Sequence, residues 1–590
     1  MLRKARAQSV PLSAEAAEGA GLVKYTMGLK RIALKNGGVI MLFLATVVLA
    51  TYGLSSETRS SAGAAVSDLD LVIKKRLTAW TSPSKAVIGN EMIYSAVLVE
   101  TFYNGRDYRP AWSEEGQPTQ AGQLLRAIEE TYGDGLTPGY YHLDLIRSLV
   151  NRAGKGLSPD PALMADLDIL LTDAFVTLGC HLSGGCVNPV TAKTEWYAKR
   201  GNVDVAAVLE QALKKKEIRE VMMRFRPEEG SYVRLRQALA HYRELAINGE
   251  WQQLSAGSTL KRNAVSPRVA ELRKRLVASN DLEPDQAKAG DLFDEKLQRA
   301  VITFQKRHGL KADGVVGPVT LDALNVPLKQ RIRQIELNME RLRWILGNKE
   351  QRSLIVNIAN FEMYIIEDER PMLPMKVVVG KPFWHTPVFT ARITQLIINP
   401  SWNVPDSIAR KEILKKVKKD RSYLAKQNME VLRGWGPEEE VIDPDTIDWS
   451  KVSADRLPCR FRQEPGPLNP LGKLKFVLPN KFDVYLHDTP AKKLFSEHVR
   501  ALSHGCIRVE KPLELATYLL QEDPHWSRED ILAAIQEGTE QKVLIPRPLN
   551  VHFLYLTAWV DEAGTVQFRN DIYGRDKLLD EALSEKLSPY

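Results

Sequence analysis

The stretch that decides the fold of this 590-residue chain is Leu354-Ile355-Val356-Asn357-Ile358, followed after a short turn by Glu362-Met363-Tyr364-Ile365-Ile366. Just upstream, apolar residues recur at the spacing of a helix. In the two quoted stretches, by contrast, the apolar residues alternate with other residues or run together in short β-branched segments bounded by a turn. The change of period from 3.6 to 2 predicts a pair of neighbouring strands.

The same β pattern continues in residues 375–379 and 394–398. We therefore predict a β-rich domain at residues 352–545. A charged segment at about 402–472 interrupts it, and this segment is too long to be a structureless loop. We expect it to be a helical insertion, with the basic run at 410–421 forming mainly a solvated helix face.

The stretch with the most candidate catalytic residues begins at His487, which ends a strand-like run. After a gap of 15 residues it continues with Ser503-His504-Gly505-Cys506-Ile507-Arg508. A cysteine nucleophile needs a base, donors for a developing oxyanion and a means of favouring the thiolate. We expect His487 to be the base, oriented by a backbone carbonyl and not by the carboxylate of Asp488.

The residues around Cys506 supply the remaining requirements. Gly505 lets the backbone approach a substrate closely, so the amides of Gly505 and Cys506 are candidate oxyanion donors. Pro512 suits the first turn of a helix, whose amino end is expected to lower the pKa of the Cys506 thiol. Arg508 offers a planar fork for a substrate carboxylate. Spacing alone also leaves open a chance co-occurrence of Cys and His.

The pattern from His487 to Arg508 resembles the signature of L,D-transpeptidase catalytic domains of the YkuD type, over about residues 352–545. The resemblance implies that Cys506 is the nucleophile and His487 the base. Cys506 would attack a tetrapeptide stem of peptidoglycan and release the terminal D-alanine. The acyl group would then pass to a diaminopimelate side-chain amine, which forms a diaminopimelate–diaminopimelate cross-link.

The resemblance also implies an oxyanion and substrate-binding set, which consists of Gly505, Ser503, His504, Arg508, Tyr485 and Trp402. Many members carry Asn at the position of Arg508, so this chain departs from the pattern there. The family implies no metal and no organic cofactor, acylation by carbapenems, and an insertion that caps the site. A cap suits the chemistry because it keeps water away from an acyl-enzyme.

The remaining histidines and cysteines carry weaker patterns. His504 is expected to have a structural, hydrogen-bonding role, with direct proton transfer as the alternative. Four further histidines have no partner pattern and are expected on the surface or satisfied in a core: His385, His498, His525 and His552. Cys180-His181 with Cys186 leaves three alternatives open, namely two buried thiols, a disulfide, or a metal site.

Upstream segments complete a multidomain α+β architecture. Helical spacing predicts an α-helical scaffold domain at 89–257 and a connecting helix at 329–351. Between them, residues 258–328 predict a three-helix unit. Its sequence Phe304-Gln305-Lys306-Arg307-His308-Gly309-Leu310, with Asp313-Gly314 and Thr320-Leu321, resembles the peptidoglycan-binding domain family. Residues 546–590 form a C-terminal extension, with a predicted hairpin from 551–555 and 565–568 and no derivable role.

The N-terminal region predicts a location. Residues 37–54 lie in an uncharged run that is just long enough to span a membrane, as an anchor or a signal sequence. The basic segment 1–36 is expected on the cytoplasmic side and residues 55–88 form a linker, so the rest would be periplasmic and anchored in the inner membrane. Residues 1–64 hold eight basic and three acidic residues, which accounts for most of the net charge of +8.

The expected partners are peptidoglycan stem peptides and glycan, the inner membrane through the N-terminal segment, and other cell-wall synthases. Nucleic acid is not expected, because the basic residues are interleaved with acidic ones and lack aromatic partners. Three alternative functions stay open: an L,D-carboxypeptidase that uses water as acceptor, attachment or release of a wall-bound protein, and a non-catalytic wall-binding scaffold.

Overall fold

A computed structural model describes residues 67–114, 117–154, 160–189, 204–249, 251–345, 351–368 and 370–585. One prediction is corrected by it. We expected a periplasmic protein anchored in the inner membrane by residues 37–54. Among the described residues, no helix has both the length and the apolar character needed to cross a membrane. The segments at 1–36 and 37–54 lie outside the described residues.

The first part of the chain is helical, as predicted, and also contains two short strand pairs, β1–β2 and β3–β4. Its elements are α1 (Asp68–Thr78), β1 (Val87–Ile88), β2 (Glu91–Met92), α2 (Ala96–Asn104), β3 (Ser113–Glu114), β4 (Gln117–Pro118), α3 (Ala121–Glu130), α4 (Leu143–Ala153), α5 (Pro161–Gly184), α6 (Val205–Lys215), α7 (Ile218–Arg224) and α8 (Gly230–Ile247). The linker predicted through residue 88 is therefore partly helix: α1 buries Ile73 and Leu77 in the core around α5.

Three helices around a separate small core follow, as predicted, and then a long helix. They are α9 (Pro267–Ala278), α10 (Glu295–Arg307), α11 (Pro318–Leu324) and α12 (Leu328–Ile345). Helix α12 buries Ile335, Met339 and Trp344, whose core is continuous with that of the β-rich domain. The β-rich domain is thus packed directly against the helical part of the chain.

The rest of the chain combines strands with a few helices. Its first half consists of β5 (Arg352–Asn357), β6 (Glu362–Glu367), β7 (Arg370–Gly380), β8 (Phe389–Ile398), β9 (Trp402–Asn403), α13 (Asp406–Ile408), α14 (Leu414–Lys419), α15 (Tyr423–Lys426), β10 (Met429–Arg433), β11 (Glu440–Ile442) and β12 (Arg460–Gln463). The second half consists of β13 (Leu474–Val477), β14 (Leu486–His487), β15 (Ala501–Ser503), β16 (Ile507–Val509), α16 (Pro512–Leu520), α17 (Arg528–Glu537), β17 (Gln541–Leu554), β18 (Ala558–Val560), β19 (Val566–Phe568) and α18 (Arg575–Ser584).

The central sheet closes on itself. Its strands follow the order β15-β7-β16-β14-β13-β8-β17-β5-β6, and β6 also pairs with β7. Closure is achieved by β7, whose first part pairs with β6, whose middle pairs with β16 and whose end pairs with β15. Strands β5 to β8 contain the stretches predicted as strands. Because the ring leaves few free edges, it forms a rigid mount for a site.

The predicted C-terminal hairpin needs correction. Strand β17 runs to Leu554 and pairs with β5 and β8, so residues 551–554 belong to the central sheet and the final hairpin is β18–β19. Its pairing with β8 shifts register between Leu544 and Leu549, where Pro546 and Pro548 cannot donate hydrogen bonds.

The strand-like run that leads to His487, residues 482–486, is mostly a turn. The side chain of Asn480 accepts hydrogen bonds from the amides of Phe482 and Val484, and Asp483 has a φ of 54°. These local hydrogen bonds compete with pairing to a neighbouring strand, so only the two residues of β14 join the sheet.

The insertion contains more β structure than the sequence indicates. Besides the helical segment from Asp406 to Lys419, which includes a π turn at Ala409–Ile413, it holds a four-stranded antiparallel sheet in the order β11-β10-β12-β9. Its own core includes Val417, Val431 and Phe461. We call residues 402–472 the cap.

The end of β7 provides a test of the fold. A Cβ on Gly380 would overlap the backbone carbonyl oxygen of Trp384. Gly380→Ala is expected to lower the free energy of unfolding by about 2 kcal/mol, because a backbone atom cannot move aside cheaply. The urea midpoint measures this. The matched control is Gly466→Ala, where nothing lies within 4 Å of the added Cβ; an equal effect of both variants would contradict the account.

Candidate active site

The pairing of two short strands brings His487 and Cys506 onto one face of the sheet. Strand β14 lies parallel to β16, with His487 opposite Arg508 and Leu486 opposite Ile507. Side chains alternate between the faces of a strand, so Tyr485 and His487 share a face with Cys506 and Arg508. A parallel pair needs a long connection, which here is the segment from Asp488 to Cys506.

These side chains face a cavity of about 470 Å³ between the sheet and the cap. All eight residues predicted for the site line it, namely Trp402, Tyr485, His487, Ser503, His504, Gly505, Cys506 and Arg508. The cap contributes Pro405, Ser407 and Ile408 to the opposite wall. The site is therefore sheltered by the cap.

His487 is held as a neutral imidazole. Its Nδ1 donates to the carbonyl oxygen of Asp488 at 2.5 Å, which leaves the lone pair of Nε2 available. Burial lowers the pKa of His487 to about 3, and the positive charge of Arg508 adds to the effect. The carboxylate of Asp488 is engaged elsewhere, by the amide of Lys473 and by Lys492. The expectation that a carbonyl orients the histidine is confirmed.

Cys506 is partly buried at the edge of the cavity. Burial raises its pKa, while contacts with Tyr485 and the charge of Lys475 act in the opposite direction. Its Sγ lies 3.7 Å from the carbonyl oxygen of Asp483. The predicted helix begins at Pro512, but strand β16 carries the chain away from Cys506 before that point, so the helix is not a cause of thiolate formation. A neutral thiol and a neutral imidazole that line the same cavity are suited to proton transfer during attack.

The turn before Cys506 is braced from two sides. The hydroxyl of Ser503 donates to the carbonyl oxygen of Cys506 at 2.7 Å and accepts from the amide of Gly505 at 3.1 Å. The hydroxyl of Thr386 donates to the carbonyl oxygen of Gly505 at 2.8 Å. Gly505 has a φ of 118°, a conformation that favours glycine.

This bracing distinguishes the two candidate oxyanion donors. The amide of Gly505 is occupied by Ser503, whereas within the described residues no hydrogen bond uses the amide of Cys506. The amide of Cys506 is therefore the better candidate to bind a developing oxyanion.

His504 connects the turn to the cap. Its Nε2 lies 2.8 Å from Oε1 of Glu412, which comes from the π turn of the cap, and its ring packs against Trp384 at 4.4 Å between centroids. This contact agrees with the structural role expected for His504. It also ties the position of the cap to the position of Cys506.

Arg508 gives the cavity a positive charge, and Lys475 lies next to Tyr485, which also lines the cavity. Arg508 is partly buried, and in the described part of the chain its Nε has no hydrogen-bond partner. Lys475 lies opposite His487 in β13, with its Nζ 4.2 Å from the ring centroid of Tyr485. A carboxylate entering the cavity would satisfy Arg508.

The sequence alone missed several contributors. Thr386 and Lys475 belong to no recognised pattern, and His385 was expected to be a bystander, although it lines the cavity. The period-2 alternation in β13 could have placed Lys475 on the same face as His487, since Lys475 pairs with it across the strands. No local signal marks Thr386, which meets Gly505 across 119 residues of sequence.

A cysteine, a histidine and a spare amide around one cavity are the groups that a cysteine-dependent acyl transfer would require. Comparison with known proteins agrees. Residues 351–543 match the model of the L,D-transpeptidase catalytic domain, residues 265–324 match the "Putative peptidoglycan binding domain", and residues 97–239 match the scaffold domain. The chain therefore carries an L,D-transpeptidase catalytic domain together with these two domains.

Individual relatives were also found. A "Putative L,D-transpeptidase" of Haemophilus influenzae is 34% identical over 247 residues, 42% of this chain and 48% of the relative. The chain thus spans about half the length of that curated relative. Solved L,D-transpeptidases of Xylanimonas cellulosilytica and Stackebrandtia nassauensis share 15% and 13% identity over 51% of this chain. These likenesses cover 99% and 96% of the solved chains, with TM-scores of 0.15 and 0.19.

The protonation state of the site predicts a pH profile. Because burial raises the pKa of Cys506 above its ordinary value of 9.0, alkylation by iodoacetamide should still be rising at pH 9. Lys475→Met should move the profile to higher pH, since the charge of Lys475 favours the thiolate. Mass spectrometry of the Cys506 peptide measures both. A plateau near neutral pH would instead reveal a preformed thiolate–imidazolium pair.

Proposed function

We propose that the protein is a peptidoglycan L,D-transpeptidase that forms diaminopimelate–diaminopimelate cross-links, with Cys506 as nucleophile and His487 as base. The observation that carries the proposal is the placement of the neutral His487 and the Cys506 thiol on one face of a covered cavity. The matched catalytic and peptidoglycan-binding domains support peptidoglycan as the substrate.

The acylation step uses groups that the site holds ready. The proton of Cys506 Sγ moves to Nε2 of His487 while the sulfur attacks the carbonyl carbon of the third stem residue, and the amide of Cys506 receives the oxyanion. When the bond to D-alanine breaks, the leaving amine takes the proton from His487. The product is a thioester on Cys506, and Arg508 is placed to bind a carboxylate of the stem.

Transfer then requires an amine to reach the thioester before water does. The acceptor amine attacks the thioester and gives up a proton through His487 to the departing sulfur, which restores the thiol. Every bond and proton is accounted for by these groups, so the reaction needs neither a metal nor an organic cofactor. The cap over the cavity supports transfer over hydrolysis because it limits the access of water.

A second cavity supports the presence of an acceptor. It has a volume of about 680 Å³ and lies under the cap beside the first, and both are lined by Pro405, Asp483 and Tyr485. Its other lining residues include Arg433 and Trp435, and the Trp435 side chain is 70% exposed. This second cavity shares three lining residues with the first, and the basic and aromatic groups in its walls suit an anionic stem on a glycan, although Asp406 and Asp483 also line it.

Other outcomes are distinguished by their products. An L,D-carboxypeptidase would give tripeptides without dimers, and attachment or release of a wall-bound protein would give protein–peptide conjugates or their cleavage. A non-catalytic wall-binding scaffold would give none of these. The adjoining second cavity favours transfer among the three catalytic alternatives.

Removal of the nucleophile is the direct test. Cys506→Ala is expected to abolish dimer formation from purified tetrapeptide muropeptides, and also the covalent adduct with a carbapenem seen by intact-mass spectrometry. Circular dichroism and binding to isolated cell walls should be unchanged, since the thiol supports no other element. Cys180→Ala, in the scaffold domain, is the control. Dimers made by Cys506→Ala would disprove the assignment.

The second cavity can be tested separately. Trp435→Ala is expected to shift products from dimers toward tripeptides at least threefold, because the acceptor loses a contact while the nucleophile is untouched. The rate of carbapenem acylation should stay within twofold of wild type. Leu544→Ala is the matched control, since Leu544 is 73% exposed and lies outside both cavities. An unchanged product ratio would exclude Trp435 from acceptor binding.

A further inference from the structure

The C-terminal segment after the β18–β19 hairpin, Asp571 to Asp576, packs against the active site and not against solvent. Tyr573 and Arg575 are 7% and 2% exposed. The hydroxyl of Tyr573 donates to the carbonyl oxygen of Gly380 at 2.5 Å, and Arg575 Nη2 donates to the carbonyl oxygen of Thr386 at 3.0 Å. Both contacts hold the loop between β7 and β8.

The loop between β7 and β8 also holds the turn from Ser503 to Cys506, which we call the nucleophile turn. The hydroxyl of Thr386 accepts from the amide of Gly380 at 3.0 Å and donates to the carbonyl oxygen of Gly505 at 2.8 Å. Thr386 is fully buried, so these bonds are sheltered from water. The ring of His385, the next residue, stacks on Tyr573 with 4.4 Å between centroids.

The geometry of the peptide bond carries this restraint to the reacting centre. The carbonyl of Gly505 and the amide of Cys506 belong to the same planar unit, in which C=O and N–H point in opposite directions. A hydrogen bond that fixes the carbonyl oxygen therefore also fixes the direction of the Cys506 N–H. This is the amide that no hydrogen bond uses within the described residues.

We propose that Tyr573 and Arg575 are positioning residues of the active site, which act through Thr386 to aim the Cys506 amide at the oxyanion. The proposal rests on the proposed acyl transfer, in which that amide binds the developing charge. It assigns a role to the C-terminal extension, for which the sequence offered none.

The segment itself is held firmly enough to act in this way. Asp571 accepts from the hydroxyl of Tyr555 at 2.7 Å and from the amides of Arg575 and Asp576 at 2.8 and 2.9 Å. Asp576 accepts from Arg341 of α12 at 2.5 Å. The segment is thus anchored to the central sheet and to the long helix α12.

The test compares two reactions of the same thiol. Attack on a carbapenem develops an oxyanion, whereas alkylation by iodoacetamide does not. Tyr573→Phe is expected to slow acylation by a carbapenem at least fivefold, and Thr386→Val at least tenfold, while both variants alkylate Cys506 within twofold of wild type. Thr386→Ser should restore acylation, because it keeps the hydroxyl.

The matched control is Tyr518→Phe, which removes another hydrogen-bonded tyrosine hydroxyl of this domain, one bonded to Arg352 and Glu367; it should acylate as wild type does. In the double variant Thr386→Val with Tyr573→Phe, acylation should be no slower than in Thr386→Val alone. Wild-type acylation by Tyr573→Phe, or an equal loss in both reactions, would overturn the proposal. Absence of acylation in the wild type would instead disprove the proposed function.

Discussion

The parallel pairing of β14 with β16 is the constraint on which the site depends. Strand β14 has two residues, and it is placed by β13 on one side and by β16 on the other. A slip of one residue would turn His487 to the opposite face from Cys506. The closed ring of strands prevents such a slip because each member of the ring is hydrogen-bonded on both sides.

Burial then decides how the two groups can react. Without the cap, water would solvate the charged forms, and the free-energy gap between the neutral pair and a thiolate–imidazolium pair would be smaller. In the covered cavity, burial raises the pKa of Cys506 and lowers that of His487, so the neutral pair is the resting state. In the proposed reaction, charge develops only when a substrate carbonyl is present, which limits unproductive reactions of the thiol. The same exclusion of water protects a thioester.

Local patterns predicted much of this arrangement. Alternation identified strands β5 and β6, and the resemblance of the pattern from His487 to Arg508 to a known family, more than its spacing alone, identified the candidate catalytic pair. The sheet of the cap was missed because β10 and β12 are short and carry charged residues such as Glu430 and Arg462, which pair with each other across the strands. Thr386 and Tyr573 could not be predicted, since their contacts with the nucleophile turn and with β7 span more than a hundred residues and leave no periodic signal.

The domains are joined by contacts at residues that the sequence placed in separate units. Arg569, at the end of β19, donates to the carbonyl oxygen of Arg307 at the end of α10 at 3.0 Å, and His498 lies 2.5 Å from the carbonyl oxygen of Gly309. The three-helix unit is therefore docked on the catalytic domain and not merely tethered to it. A docked unit fixes both the distance and the direction from that unit to the cavity, whereas a flexible linker would fix only a range of distances. Arg569, which contacts the three-helix unit, comes directly after β19. The segment from Asp571 to Asp576, which we propose to brace the nucleophile turn, begins two residues later.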